Sequence, residues 1–183
     1  MKKLLLLLTI TVTLSCCNKN DDDQPTNPID QLPPATQIGA NTFGALLDGE
    51  PFIPSGGTNP LDCVYQFVNG GYFFALQGNK RDSNNNLITI AIGINNLQIE
   101  QGESYDLLEN VDGNASGGTG FTFTIADNQS SSTNSQFTGE LTITKLDFTN
   151  NIVSGTFWFD VEHPVTGETV EIREGRFDTL FTQ

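Results

Sequence analysis

Proton transfer, nucleophilic attack and metal ligation in this 183-residue chain must come from one histidine, three cysteines and 22 acids. His163 lies in Glu162-His163-Pro164-Val165-Thr166-Gly167, a hairpin connection. A catalytic base sits buried beside its nucleophile, whereas this imidazole is expected to face solvent. Zinc needs more histidine or cysteine than the domain carries. Asp82-Ser83-Asn84-Asn85-Asn86 sets oxygen side chains at alternate positions, as a calcium loop does, but Leu87 and Gly93 stand where that loop requires glycine and glutamate. It reads as a polar turn. Glu168, Glu171 and Glu174 would hydrolyse a glycoside only if two carboxylates faced one another with one pKa raised; on a strand they read as exposed polar positions. Gly117-Gly118-Thr119-Gly120 lacks the lysine and the helix of a phosphate loop. No catalytic residue, metal ligand or cofactor is assigned, and the chain is expected not to be an enzyme.

The cysteines divide. Cys63, in Asp62-Cys63-Val64-Tyr65, reads as a small buried apolar residue. Cys16 and Cys17 end an apolar run that begins after Lys2 and Lys3, the pattern of an export signal over 1–15. The run is shorter than the roughly 20 residues of a spanning helix. Thr13-Leu14-Ser15-Cys16 resembles the lipobox of bacterial lipoproteins, in which the cysteine thiol takes a diacylglycerol and becomes the new first residue. Cys17 is the alternative: Leu14 then falls at the usual leucine position, but Cys16 occupies the place before the cut where a small residue is normal. Each buried methylene of such an anchor contributes about 0.8 kcal/mol of membrane attachment.

Loss of Lys2 and Lys3 with the signal deepens the formal charge from −14 to −16. That field repels phosphate backbones and anionic head groups, which excludes nucleic acid and polybasic docking to a bilayer. From the anchor to residue 40 the chain is acidic and proline-rich with few large apolar side chains, and it reads as a tether of roughly 70 Å reach over 16–40. Lys19 followed by Asp21-Asp22-Asp23 resembles the export signal that carries Bacteroidota lipoproteins to the outer face of the outer membrane.

Elements that could position any site begin at residue 41. Apolar residues alternate in Ile88-Ile90-Ile92-Ile94, in Phe121-Phe123-Ile125 and in Val153-Gly155-Phe157-Phe159-Val161, so each run is a strand with one face inward. Turn residues separate such runs at Asp48-Gly49, Asn69-Gly70, Asn95-Asn96 and Thr149-Asn150-Asn151. About nine strands are expected, at 42–48, 62–68, 72–78, 87–94, 104–108, 119–126, 137–146, 152–161 and 168–177. The expected fold of 41–183 is all-β, one antiparallel meander forming a sandwich or barrel. The polar, small-residue segments 110–120 and 127–135 read as long loops at opposite ends of one strand.

Aromatic residues give the positive hint of a binding surface. Tyr72, Phe73 and Phe74 are consecutive, so both sheet faces receive a ring, and Trp158 points opposite to Phe157 and Phe159. An exposed ring would make a sugar-stacking platform. Asn41-Thr42-Phe43-Gly44, Cys63-Val64-Tyr65 and Gly175-Arg176-Phe177-Asp178 together resemble a family of Bacteroidota lipoproteins classed as a domain of unknown function. The resemblance implies a relative's cysteine at the position of Ala45, paired with the counterpart of Cys63; this chain lacks that bridge. Arg176 and Asp178, two apart on one strand face, are expected to pair across a rim. Asp178-Thr179-Leu180 resembles the O-glycosylation acceptor of exported Bacteroidota proteins. The expected role is a lipid-anchored binding module at the outer membrane or cell surface, its partner a glycan or envelope protein. The alternatives are a lipid-binding β-barrel and a small carboxylate-based hydrolase.

Overall fold

Period-two alternation becomes strand almost everywhere it occurs. A computed structural model of the chain describes residues 27–56, 58–124 and 127–183; the signal, Cys16, Cys17 and the run from Lys19 to Asp23 lie outside them. The strands are β1 (Thr42–Leu47), β2 (Glu50–Phe52), β3 (Leu61–Val68), β4 (Gly71–Arg81), β5 (Leu87–Asn95), β6 (Ser104–Leu107), β7 (Ala115–Thr124), β8 (Asp127–Ser132), β9 (Gly139–Asp147), β10 (Ile152–Glu162) and β11 (Thr169–Leu180). In β5, Ile90, Ile92 and Ile94 are buried, while Thr89, Ala91 and Gly93 between them are half-buried on the other face. Asp48-Gly49 and Asn69-Gly70 both take positive φ at both residues, as the expected two-residue hairpin turns require.

The strands make one sheet in the order β2-β1-β11-β10-β9-β6-β7-β5-β4-β3, with β8 added to β7. The sheet folds over on itself as a sandwich and does not close into a barrel. Its order corrects the simple meander: β1 lies against β11 instead of β3, and β6 stands between β9 and β7. The first of these is a long-range pairing, which local alternation cannot specify. Phe43, Phe157, Phe159 and Phe177 from β1, β10 and β11 meet Phe74, Ile90 and Ile92 from β4 and β5 in one buried cluster. The chain after β11 and after β2 reaches the far half of the sheet: Tyr65 N–H donates to Thr182 O at 2.9 Å, Thr182 N–H to Cys63 O at 3.0 Å, and Ser55 N–H to Asn79 O at 2.9 Å. The interior that a lipid carrier would hollow out is occupied by these rings and isoleucines.

Two strands, β2 and β8, were not expected, and the two long loops are corrected. Much of 110–120 is β7, and 127–132 is β8, paired back on β7 as a hairpin. A glycine run looks like a loop because nothing in it marks a buried face. Here Gly117 is demanded by packing: a Cβ on it would lie 2.7 Å from the Phe159 ring.

The expected tether also ends earlier than residue 40. Asn27 caps a 3₁₀ turn over Pro28–Gln31, Leu32 is buried, and Pro33 lies over Gly44 of β1 so closely that a Cβ there would be 2.6 Å from its Cδ. Residues 32–40 form a strap across β1 and the end of β11, so the body begins upstream of residue 41. Their composition cannot build a core, but it can be pinned by hydrogen bonds from backbone N–H groups, which composition does not report.

Candidate surface cleft on β9, β10 and β11

The strap is held by one carboxylate. Asp178 on β11 is fully buried and accepts from Thr36 Oγ1 at 2.6 Å, Ile38 N at 3.0 Å, Gly39 N at 2.8 Å, Ala40 N at 3.1 Å and Ser154 Oγ at 2.8 Å. Burial alone would push its carboxyl up; the hydrogen bonds from Thr36, Ile38, Ser154 and Ala40 together outweigh that and hold it at about 2. The expected Arg176–Asp178 pair is therefore corrected. Neutral donors already saturate Asp178, whereas Arg176 turns to Glu174. Thr179, the glycosylation candidate, is also buried, and its hydroxyl donates to Asn41 Oδ1 at 3.0 Å, so no transferase reaches it in the folded chain.

Beside the strap, β11 breaks its register. Phe157 of β10 pairs with Gly175 and Phe159 with Ile172, which leaves Trp158 opposite two residues, Arg173 and Glu174. This is a β-bulge, and it turns side chains that a regular strand would send elsewhere. Glu174 takes φ +54°, a left-handed conformation that costs a non-glycine residue about 1 kcal/mol. Gly175 follows because a Cβ there would lie 2.5 Å from both the Phe157 carbonyl oxygen and its ring.

The bulge shapes a surface cleft of about 540 Å³ whose lining includes Trp158, Thr156, Glu140, Glu174, Arg176 and, from the strap, Ala35. That volume lies within the range of small-ligand sites. Trp158 remains 41 % exposed on the outer face, as its alternation with Phe157 and Phe159 implies. Arg173 sits over its ring, with Cζ 5.6 Å from the centroid, a cation–π arrangement. The same guanidinium reaches Asp160 Oδ1 at 2.6 Å, Glu171 Oε1 at 3.0 Å, Phe159 O at 3.2 Å and Ile172 O at 3.0 Å. Its contact with Asp160 raises its already high pKa, so it is a fixed cation committed to the protein. Arg176 is held more loosely: Nε donates to Glu174 O at 3.1 Å, and Nη2 lies 3.4 Å from Glu174 Oε2. Glu140 is paired in register with Trp158 across β9 and β10, and its side chain has no hydrogen-bond or ion-pair partner among the described residues.

The other residues singled out from the sequence fall elsewhere. His163 Nδ1 accepts from Val165 N and Thr166 N at 3.2 Å each, and its ring lies 4.7 Å from that of Phe121, so it closes its own hairpin against β7. Asp82 accepts from Asn84 N, Asn86 N and Asn86 Nδ2 at 2.8 to 2.9 Å, a self-satisfied turn. Glu168, Glu171 and Glu174 pair respectively with Thr166, Arg173 and Arg176 and do not converge. Cys63 is buried and free, and burial pushes its thiol far up, which removes nucleophilic character at neutral pH. Of the aromatic trio, Phe74 is buried and Tyr72 stacks on Tyr65 at 5.7 Å. Among the described residues, no group of three or more His, Cys, Asp or Glu could hold a metal ion.

Sequence reasoning missed Glu140 and Ala35 as parts of the cleft. Glu140 reaches it through the pairing of β9 with β10, and Ala35 through the docked strap; neither leaves a local pattern. No curated protein and no solved structure matches the chain. Residues 67–180 match the model of the family described as "Domain of unknown function (DUF6252)", a span that holds the whole cleft except Ala35, and the chain belongs to that family.

Proposed function

We propose that this chain is a non-enzymatic binding module, an outer-membrane lipoprotein displayed at the cell surface, whose body offers the Trp158 cleft to an envelope component. The lipobox-like Thr13-Leu14-Ser15-Cys16 supports the anchor, with Cys17 as the alternative acceptor, and Lys19 with Asp21-Asp22-Asp23 supports export. No helix among the described residues is long and apolar enough to cross a membrane.

The observation that carries a binding role is a cleft in which an aromatic face stays 41 % exposed beside a backbone outlier, Glu174 at φ +54°. Strain of this kind persists where the surroundings enforce it, and it clusters at ligand sites. Because Trp158 is the chain's one tryptophan, its emission reports the cleft without a label. Solubilised envelope fractions are expected to shift that emission, and Trp158→Ala is expected to abolish retention of the body on the same fraction. Equal retention of the variant and the parent on every fraction would remove the cleft from the account. Labelling with radioactive palmitate checks the anchor: the parent incorporates label, whereas a chain with both Cys16→Ser and Cys17→Ser does not.

A further inference from the structure

We infer that the ligand of the Trp158 cleft is a neutral saccharide, an inference that rests on the binding role proposed above and narrows it to one chemical class. The cleft presents donors and acceptors side by side. Arg176 uses Nε and Nη2 on Glu174, which leaves guanidinium hydrogens unused, and it is the donor on one wall. Glu140, with no partner among the described residues, is an acceptor; Thr156 adds a hydroxyl and Trp158 an indole N–H and a ring face.

An acceptor-only ligand such as a phosphate or carboxylate would meet Arg176, but only beside the negative charges of Glu140 and Glu174. Arg173 brings no relief, since Asp160, Glu171 and two carbonyls already occupy it. A donor-only ligand such as an ammonium would meet Glu140, but beside the positive charge of Arg176. A hydroxyl is donor and acceptor at once, and a pair of adjacent hydroxyls matches a carboxylate or a guanidinium in bidentate fashion. The C–H face of a pyranose then lies on the exposed part of Trp158, an apolar contact that a polar chain with no such face cannot make. A neutral polyol with one apolar face satisfies every group in the cleft, and a saccharide has that chemistry.

The test uses the folded body and its single indole. Neutral hexasaccharides of glucose, mannose, xylose and N-acetylglucosamine are titrated while Trp158 emission is followed, in parallel with polygalacturonate, heptalysine and solubilised envelope protein. At least one neutral hexasaccharide is expected to saturate the signal, with an affinity unchanged between 0.05 and 0.5 M salt because no counter-ion is displaced. Arg176→Ala and Glu140→Gln are each expected to weaken it about tenfold with unchanged thermal melting. A response to polygalacturonate, heptalysine or protein but to no neutral sugar would overturn the saccharide assignment and leave the binding role standing. Silence towards all of them would overturn both.

Discussion

Asp178 and Trp158 lie on adjacent strands of the sandwich, β11 and β10, yet their surroundings are opposites. The Asp178 carboxylate is completely buried and takes five hydrogen bonds, so nothing remains for a ligand. Around Trp158 the ring is half open, Glu140 stands without a partner among the described residues, and Arg176 retains donors. A buried polar group must be satisfied by the fold itself; an exposed one with no protein partner, such as Glu140, can exchange its water for a ligand. The contrast separates structural chemistry from binding chemistry more reliably than residue type does, since each region is centred on an acid with a threonine beside it.

Substitutions break that contrast in a definite order. Asp178→Asn removes the charge that five donors converge on and is expected to cost about 3 kcal/mol, read by urea unfolding. Because the strap supplies Ala35 to the cleft, the same variant is expected to make Trp158 more accessible to acrylamide. Gly175→Ala comes next, at about 2 kcal/mol, because the new methyl meets the Phe157 carbonyl oxygen and neither backbone can retreat.

Acid acts on the same cage. The folded carboxyl of Asp178 is held at about 2, below its unfolded value, so its stabilisation is complete above roughly pH 4 and is lost as pH falls towards 2. Unfolding midpoints followed over that window should decline in the parent and show a shallower decline in Asp178→Asn. Glu174→Gly is expected to change stability by less than about 0.5 kcal/mol, since relief of the left-handed strain offsets the extra freedom of the unfolded chain, while weakening binding through the loss of Arg176's carboxylate partner. Trp158→Ala closes the series, with a stability change under about 1 kcal/mol and loss of binding.

Alternation made most of the fold legible. Ile88 to Ile94 and Val153 to Val161 could be nothing but half-buried strands, and the direction of Trp158 followed from Phe157 and Phe159. The Asx–Gly pairs gave their turns. What escaped was non-local. Gly117 looks like loop until Phe159 is placed against it, and the strap looks like tether until Asp178 gathers its N–H groups. The bulge at Glu174 escaped as well, because an extra residue in one strand is visible only against its partner's register. The cleft was thus half readable: its ring and Arg176 lay in view, while the wall at Ala35 and the acceptor at Glu140 depended on pairings that short windows do not carry.

The lone indole N–H cross-peak in a ¹⁵N spectrum of the folded body reports sugar binding at the cleft, with Gly39 as its internal control. On addition of the neutral hexasaccharide that perturbs Trp158 emission, the indole and Arg176 Nε–H peaks are expected to move together while the Gly39 amide in the Asp178 cage stays fixed. An indole peak that stands still while Gly39 moves would contradict binding at the cleft.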